Sequence, residues 1–426
     1  MRYILKILPA LGLLIGSIPL SLNAQSISLQ ACLDSAEANL PILQQAPLIR
    51  QSLENKLSTF ENQNLPQINF TGQATYQSAV PELPFTIPGS PGLEIPKTQF
   101  RTYVEISQPI YTGGVSKALS GVESANALYK LDQLKIPTLA IKKQVTEVYF
   151  SLLEAAEQKE ALNETLGLLR EKEKTLQSAL KNGVAQENDL LKLQVELTRL
   201  SHQVESIDNR ITGAREILGI LCGFDVSSFS LFQPASSPTD GGQDLNANPE
   251  IQLYDTQKKS LMATNDLLDA NRKPKVFAFG QTGLGQPNPY NIFESDVSGF
   301  YMIGAKVQWT LTDWGNTRIA KENISLGMEQ LDVLSQQKEV ELKAQTSRLQ
   351  TEIEALNTQL KMDNELLVLK QQIAKNALTQ YNEGIITFTQ YLEELLALKQ
   401  VEINKASHEA TLLKSQTLLQ LEYGNL

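Results

Sequence analysis

The chain has 426 residues, 42% of them hydrophobic and 20% charged, and a formal charge of −10. The length allows more than one domain's worth of core, and the composition excludes a disordered chain. The acidic balance argues against nucleic acid, whose phosphates need basic patches. No run of about 18 apolar residues follows the N-terminus, so entry into a membrane must be by strands.

In chain order, the first segment reads as a signal peptide over 1–24. Arg2 and Lys6 give the basic start, Ile7 to Leu20 the apolar core, and Ala24 the cleavage site. Such a leader implies a mature chain outside the cytoplasm. Cys32 follows a stretch that loosely resembles a lipoprotein cleavage box, but the polar run from Ser21 to Ser28 separates it from the apolar core. Cys32 and Cys222 are too distant in sequence to make a disulfide framework, and they read as two small helix residues.

A helical stretch runs from about Ser28 to Asn62. Strands are predicted over Gln67 to Tyr76 and Phe100 to Gln108 from period-two alternation. Phe100, Val104 and Ile106 share one face of the second strand, against Arg101, Glu105 and Ser107 on the other. Between the strands, Pro81, Pro84, Pro88, Pro91 and Pro96 mark an extended loop. Val115 to Asn182 then reads as one helix of roughly 100 Å at 1.5 Å per residue, kinked at its single proline, Pro137. A return helix carries a heptad seam through Leu190, Leu193, Leu197, Leu200, Val204, Ile207 and Ile211.

The pattern then repeats. Pro41 and Pro66 are 25 residues apart, as are Pro249 and Pro274. Further on, a constant offset of 201 carries Ile110-Tyr111-Thr112-Gly113-Gly114 onto Leu311-Thr312-Asp313-Trp314-Gly315, and Asn182-Gly183-Val184 onto Glu383-Gly384-Ile385. The copies are 25–232 and 244–426, joined by a linker over 233–243. In the second copy a helix runs from about Pro249 to Ala270, with strands from Lys275 to Leu284 and over Tyr301 to Trp309. Tyr301, Ile303, Ala305, Val307 and Trp309 form the apolar face, while Phe277 and Phe279 break the alternation. Leu342, Leu349, Ile353, Leu356, Leu360 and Leu367 supply a second seam. Four strands cannot close a barrel, and lipid forbids an open sheet edge, so copies of the chain must assemble.

The order helix, strand, strand, helix, helix, given twice after a signal peptide, resembles the TolC-like outer-membrane efflux proteins. The marks are Gln108-Pro109-Ile110-Tyr111-Thr112-Gly113-Gly114, Trp309-Thr310-Leu311-Thr312-Asp313-Trp314-Gly315, the turns at Gly183 and Gly384, and the opening Ser28-Leu29-Gln30-Ala31-Cys32-Leu33. The resemblance implies a mixed α+β membrane protein. Three copies would form a 12-stranded outer-membrane β-barrel continuous with a periplasmic α-helical coiled-coil barrel. It implies the exit duct of a tripartite efflux or type I secretion system, without a cofactor. The expected partners are outer-membrane lipid, a periplasmic adaptor (membrane fusion) protein and an inner-membrane transporter.

The resemblance also assigns residues. Gly183, Val184, Gly384 and Ile385 would be the adaptor-docking tips. Asp189, Tyr381, Gln390 and Glu393 would form the gate and constriction, with Gln390 departing from the acid expected there and Ile386 from a basic residue. Pro109, Gly113, Gly114, Trp309, Trp314 and Gly315 would be the barrel–helix junctions. Plainer roles compete. Gly183 and Gly384 fit helix C-caps, Thr387 with Gln390 fits a capping box, and Asp189 fits a first-turn acid. Two rival functions are a periplasmic adaptor, which would need a compact β-rich domain between its arms, and a structural coiled-coil envelope protein, which would not need four alternating strands. His202 and His408 show no metal-ligand spacing, so an enzyme is not expected.

Overall fold

The computed structural model describes residues 26–81, 95–227, 229–231, 244–291 and 294–425. The expected signal peptide, most of the proline-rich loop and the 233–243 linker fall outside them. The elements are β1 (Ser26–Ile27), α1 (Leu29–Ala38), α2 (Gln45–Asn62), β2 (Gln67–Tyr76), β3 (Thr98–Tyr111), α3 (Val115–Gln133), α4 (Lys135–Lys181) and α5 (Glu187–Cys222). There follow β4 (Ser230–Leu231), α6 (Pro249–Asn271), β5 (Lys275–Gln286), β6 (Ser298–Gln308), α7 (Asn316–Asn382) and α8 (Phe388–Glu422). The chain divides into two compact units. A strand unit takes in Glu37–Gln144, Ser237–Met362 and Thr411–Leu426; a hairpin unit takes in Met1–Ala36, Val145–Ser236 and Asp363–Ala410, each as far as it is described.

In the strand unit, β2, β3, β5 and β6 form one antiparallel sheet in that order. Its register explains the alternation. Ile68 sits opposite Ile106 and Phe70 opposite Val104, while Val276 faces Val307 and Gly280 faces Ile303. All of these lie on one face, with Leu284 and Tyr301. The face is not buried within the chain: Phe70 is 75% exposed and Ile303 83%. Arg101, Glu105, Gln281 and Lys306 lie on the other face. Phe277 and Phe279 lie there too. Phe279 fills the space a side chain would need at Gly304, whose Cβ would come within 2.8 Å of the ring. Trp309 departs from its expected place, because β6 stops at Gln308.

The first helical stretch is two helices rather than one. Pro41 opens a short 3-10 turn at Pro41–Gln44 that separates α1 from α2. The long helix also breaks, between α3 and α4 at Leu134 and not at Pro137 itself. Proline lacks its own amide donor and its ring clashes one turn upstream, so the damage falls before the residue that causes it. Leu134 N donates to Leu131 O instead, a tighter bond. Helix α6 starts cleanly: Pro249 occupies the first turn, and the Asn248 side chain caps Glu250 N at 2.8 Å. Buried Asn248 also donates to Glu422 O at 2.8 Å.

The hairpin unit is a coiled-coil core. Along α5, Leu193, Leu200 and Ile207 are buried, and Leu190, Leu197, Val204 and Ile211 pack half-buried between them. That is the alternation a heptad seam demands. Across from it lie Leu162, Leu166, Leu169 and Leu176 of α4, and Leu392 and Leu395 of α8. Each such leucine contributes about 1.5–3 kcal/mol by leaving water. Tyr149 is fully buried in the same unit, and its hydroxyl donates to Ile27 O at 3.0 Å. The small parallel pair β1–β4 belongs here as well.

Candidate functional site: hairpin turns and strand–helix junctions

The turns of the two hairpins share one design. Gly183 and Gly384 both have left-handed backbones, with φ of 70° and 75°. Val184 N donates to Ala179 O at 2.9 Å, and Ile385 N to Gln380 O at 2.8 Å. These are the six-to-one bonds of the Schellman motif, so both glycines are helix C-caps. The following residues, Val184 and Ile385, are 78% and 66% exposed. Each turn therefore presents an apolar side chain to solvent beside a glycine with no atoms within 4 Å of its Cβ position.

Beneath the turns is an aromatic cluster. Tyr381 stacks on Tyr391 with 5.7 Å between centroids and meets Phe388 edge-on at 5.6 Å. Lys172 Nζ stands 5.6 Å from the Tyr391 ring. Burial, followed by the charge of Asp189, pushes the Tyr381 hydroxyl above its ordinary value, so it stays protonated at neutral pH. Asp189 lies in the first turn of α5, and Thr389 Oγ1 donates to it at 2.9 Å. Asp189 thus joins α5 to the start of α8. Gln390 closes the capping box: Thr387 N donates to its Oε1 at 2.9 Å, and Gln390 N donates to Thr387 Oγ1 at 3.3 Å. Glu393 is exposed one turn further on. The sequence reading missed Thr389 and Tyr391, which share this cluster with the residues it chose.

In the strand unit the two junctions also share a backbone. Gly113 and Gly114 have φ of 72° and 82°; Trp314 and Gly315 have 56° and 84°. Two successive left-handed residues turn the chain from strand to helix. Gly113 has a further reason to be glycine, because a Cβ there would lie 2.8 Å from Ala270 O. Trp314, its counterpart at the offset of 201, is 89% exposed and meets no such wall. Pro109 sits at a bulge, where the β3–β5 register shifts between Pro109 and Tyr111. Trp309 Nε1 donates to Arg272 O at 3.0 Å. Asp313 accepts from Thr317 N at 2.9 Å and Gly315 N at 3.1 Å. The Thr317 hydroxyl first, then those bonds and Arg272, hold its carboxyl at about 2. Its contribution to stability is present above the ordinary carboxylate range and is lost as the pH falls through about 2.

The offset reaches one pair that the sequence reading passed over. Gly223 ends α5 with φ of 76°, and Gly424 follows α8 with φ of 74°. On the polar face of the sheet, Arg101 lies 4.6 Å from the Tyr103 ring centroid and 5.3 Å from that of Phe300. It donates to Gln281 at 3.2 Å, and Gln281 in turn donates to Glu105.

An antiparallel sheet with one exposed apolar face, joined to helical hairpins, is the fold of outer-membrane channel proteins. CusC, solved in a study of transmembrane channel formation, superposes with a TM-score of 0.68 at 16% identity, over 93% of this chain and 92% of that one. VceC of Vibrio cholerae gives 0.67 at 13%, over 93% and 96%. The CmeC outer membrane channel of Campylobacter jejuni gives 0.65 at 15%, over 93% and 85%. No curated protein matches the chain in sequence. Residues 32–218 match the family model described as outer membrane efflux protein. The match covers the first part of the chain, and the solved channels share its fold over 93% of its length.

The junction geometry makes a prediction. Gly113→Ala and Gly114→Ala each bear the left-handed penalty, about 1–2 kcal/mol, but only Gly113→Ala also meets backbone at 2.8 Å. Thermal unfolding should show Gly113→Ala clearly the less stable. Equal midpoints would mean that the Ala270 contact imposes nothing.

Proposed function

We propose that this protein is the exit duct of a tripartite efflux or type I secretion system, a passive conduit in the outer membrane driven by an inner-membrane transporter through a periplasmic adaptor. The observation that carries the proposal is the sheet. Its two faces are sorted into apolar and polar, and among the described residues its outer strands β2 and β6 have no partner along their outer edges. An unpaired edge in lipid leaves amides and carbonyls without partners, at several kcal/mol each. Four strands are too few to enclose a lumen, and bacterial barrels start at about eight. Three chains joined edge to edge, β6 to β2, give a twelve-stranded barrel with the Arg101 face inward. In this reading the chain is two copies of one plan, 25–232 and 244–426, so a homotrimer presents six hairpins. A periplasmic adaptor lacks any need for a lipid-facing sheet, and so does a structural coiled coil.

The exposed Val184 and Ile385, each fixed beside a left-handed glycine, support adaptor docking at the turns. Asp189, Thr389, Tyr381 and Tyr391 support a gate in the same hairpin unit: a polar clasp beside an aromatic stack. Exposed Gln390 and Glu393 would line the constriction. The capping bonds of Gln390 are compatible with that role, because they use its Oε1 and backbone amide and leave its Nε2 available.

Three measurements test the proposal. Mass determination in mild detergent should give a trimer, and a stable folded monomer would overturn the barrel. Gly384→Arg should abolish export while leaving the protein in the outer membrane at normal levels. Undiminished export would remove the turns as a docking site. The double variant Tyr381→Phe with Asp189→Ala should raise single-channel conductance in planar bilayers. Each charge-assisted bond is worth about 1.5–3 kcal/mol, and three subunits lose one each. Conductance equal to wild type would place closure in apolar packing around Ile385, Ile386 and Phe388.

A further inference from the structure

The chain has two cysteines, 190 residues apart in sequence. Cys32 lies in α1 and Cys222 is the last residue of α5, and both belong to the hairpin unit. The fold brings them together. Cys222 Sγ donates to Cys32 O at 3.6 Å, and each thiol shifts the other's titration. Both side chains are fully buried, at 0% exposure. Neighbouring contacts fix the two segments on each other. Ser35 Oγ donates to Cys222 O at 2.8 Å, and Ser26–Ile27 pairs with Ser230–Leu231 just beyond each cysteine.

Lipidation of Cys32 does not fit this setting. Cleavage before Cys32 would remove β1 and the Ile27 carbonyl that accepts from buried Tyr149. A buried thiol beside a second thiol is different from the two unrelated small residues that the sequence suggested. The thiol contact, and after it burial, pushes the Cys32 thiol far above its ordinary value. The same contact lowers that of Cys222. Burial nonetheless closes both thiols to an oxidant protein, so any oxidation must happen while the packing is still open.

We propose that Cys32 and Cys222 are joined by a disulfide in the exported protein, clasping α1 to the end of α5. The oxidant is of the class found in oxidising compartments, a protein that carries a reactive disulfide. One cysteine thiolate attacks that disulfide, forms a mixed disulfide and expels an oxidant thiolate. The second cysteine thiolate then attacks the mixed sulfur, closes the Cys32–Cys222 bond and expels the other oxidant thiolate. The two cysteines lose two protons and two electrons, and the oxidant leaves as a dithiol. The inference goes beyond the channel reading and rests on it only for the compartment.

The test is a thiol count on the full chain, expressed with its own N-terminus and recovered from the outer membrane. The protein is denatured in excess maleimide, with and without prior reduction, and weighed by mass spectrometry. The expected result is no label without reduction and two labels after it, with a non-reduced peptide linking Cys32 to Cys222. Two labels without reduction overturn the proposal, as does one label or an adduct on either cysteine. Thermal unfolding gives a second readout. A reductant present during unfolding should lower the wild-type midpoint and leave that of Cys32→Ala with Cys222→Ala unchanged. Fractionation separates the two readings. Full labelling of outer-membrane protein sinks the disulfide alone, whereas recovery from the cytoplasm sinks the channel. In that case refolding of the purified chain with oxidised glutathione must close the bond, or the disulfide falls too.

Discussion

A peptide group taken out of water must find a hydrogen-bond partner, and the rest of this molecule follows from where that demand goes unmet within one chain. Inside the helices and between β2, β3, β5 and β6 it is met. Among the described residues, it is not met along the outer edges of β2 and β6. The same sheet displays Phe70, Tyr301 and Ile303 to its surroundings, and these are side chains that water does not favour. An unpaired edge beside an apolar face is an aggregation hazard in solution and a closure site in a bilayer. On the proposed function, a membrane would turn that hazard into a rule of assembly.

The second constraint is conformational. The strand-to-helix junctions and the hairpin turns require left-handed residues, and glycine supplies most of them at Gly113, Gly114, Gly315, Gly183 and Gly384. Trp314 is the exception among the described residues. It accepts the strain because its side chain projects into open surroundings, where its counterpart Gly113 would strike Ala270 O. The two junctions thus share a backbone path while differing in what that path must clear.

Much of the fold was legible because it rests on local periodicity. The bounds of β2, Gln67–Tyr76, and the buried Leu193, Leu200 and Ile207 follow directly from alternation and heptad spacing. The misreadings come from effects that periodicity does not carry. Pro137 broke its helix three residues upstream, at Leu134. Phe279 took the polar face of the sheet because Gly304, on the next strand, left room for it. The Gly223–Gly424 pair was present in the offset and could have been found by extending it to the chain's end. The tie between Asp189 and Thr389 spans 200 residues, and the meeting of Cys32 with Cys222 spans 190, so neither leaves a local trace.

Trp309 and Trp314 carry one more consequence. They are the only tryptophans in the chain, and both sit where β6 gives way to α7. Trp309 is 58% exposed and Trp314 89%, and amphipathic rings of this kind favour the zone of lipid headgroups. Excited beyond the tyrosine absorption band, the fluorescence of the protein therefore originates at this one junction. Emission colour and quenching by brominated lipids would then follow the junction on entry into a bilayer, with no dye attached and no tryptophan background from the helical hairpins.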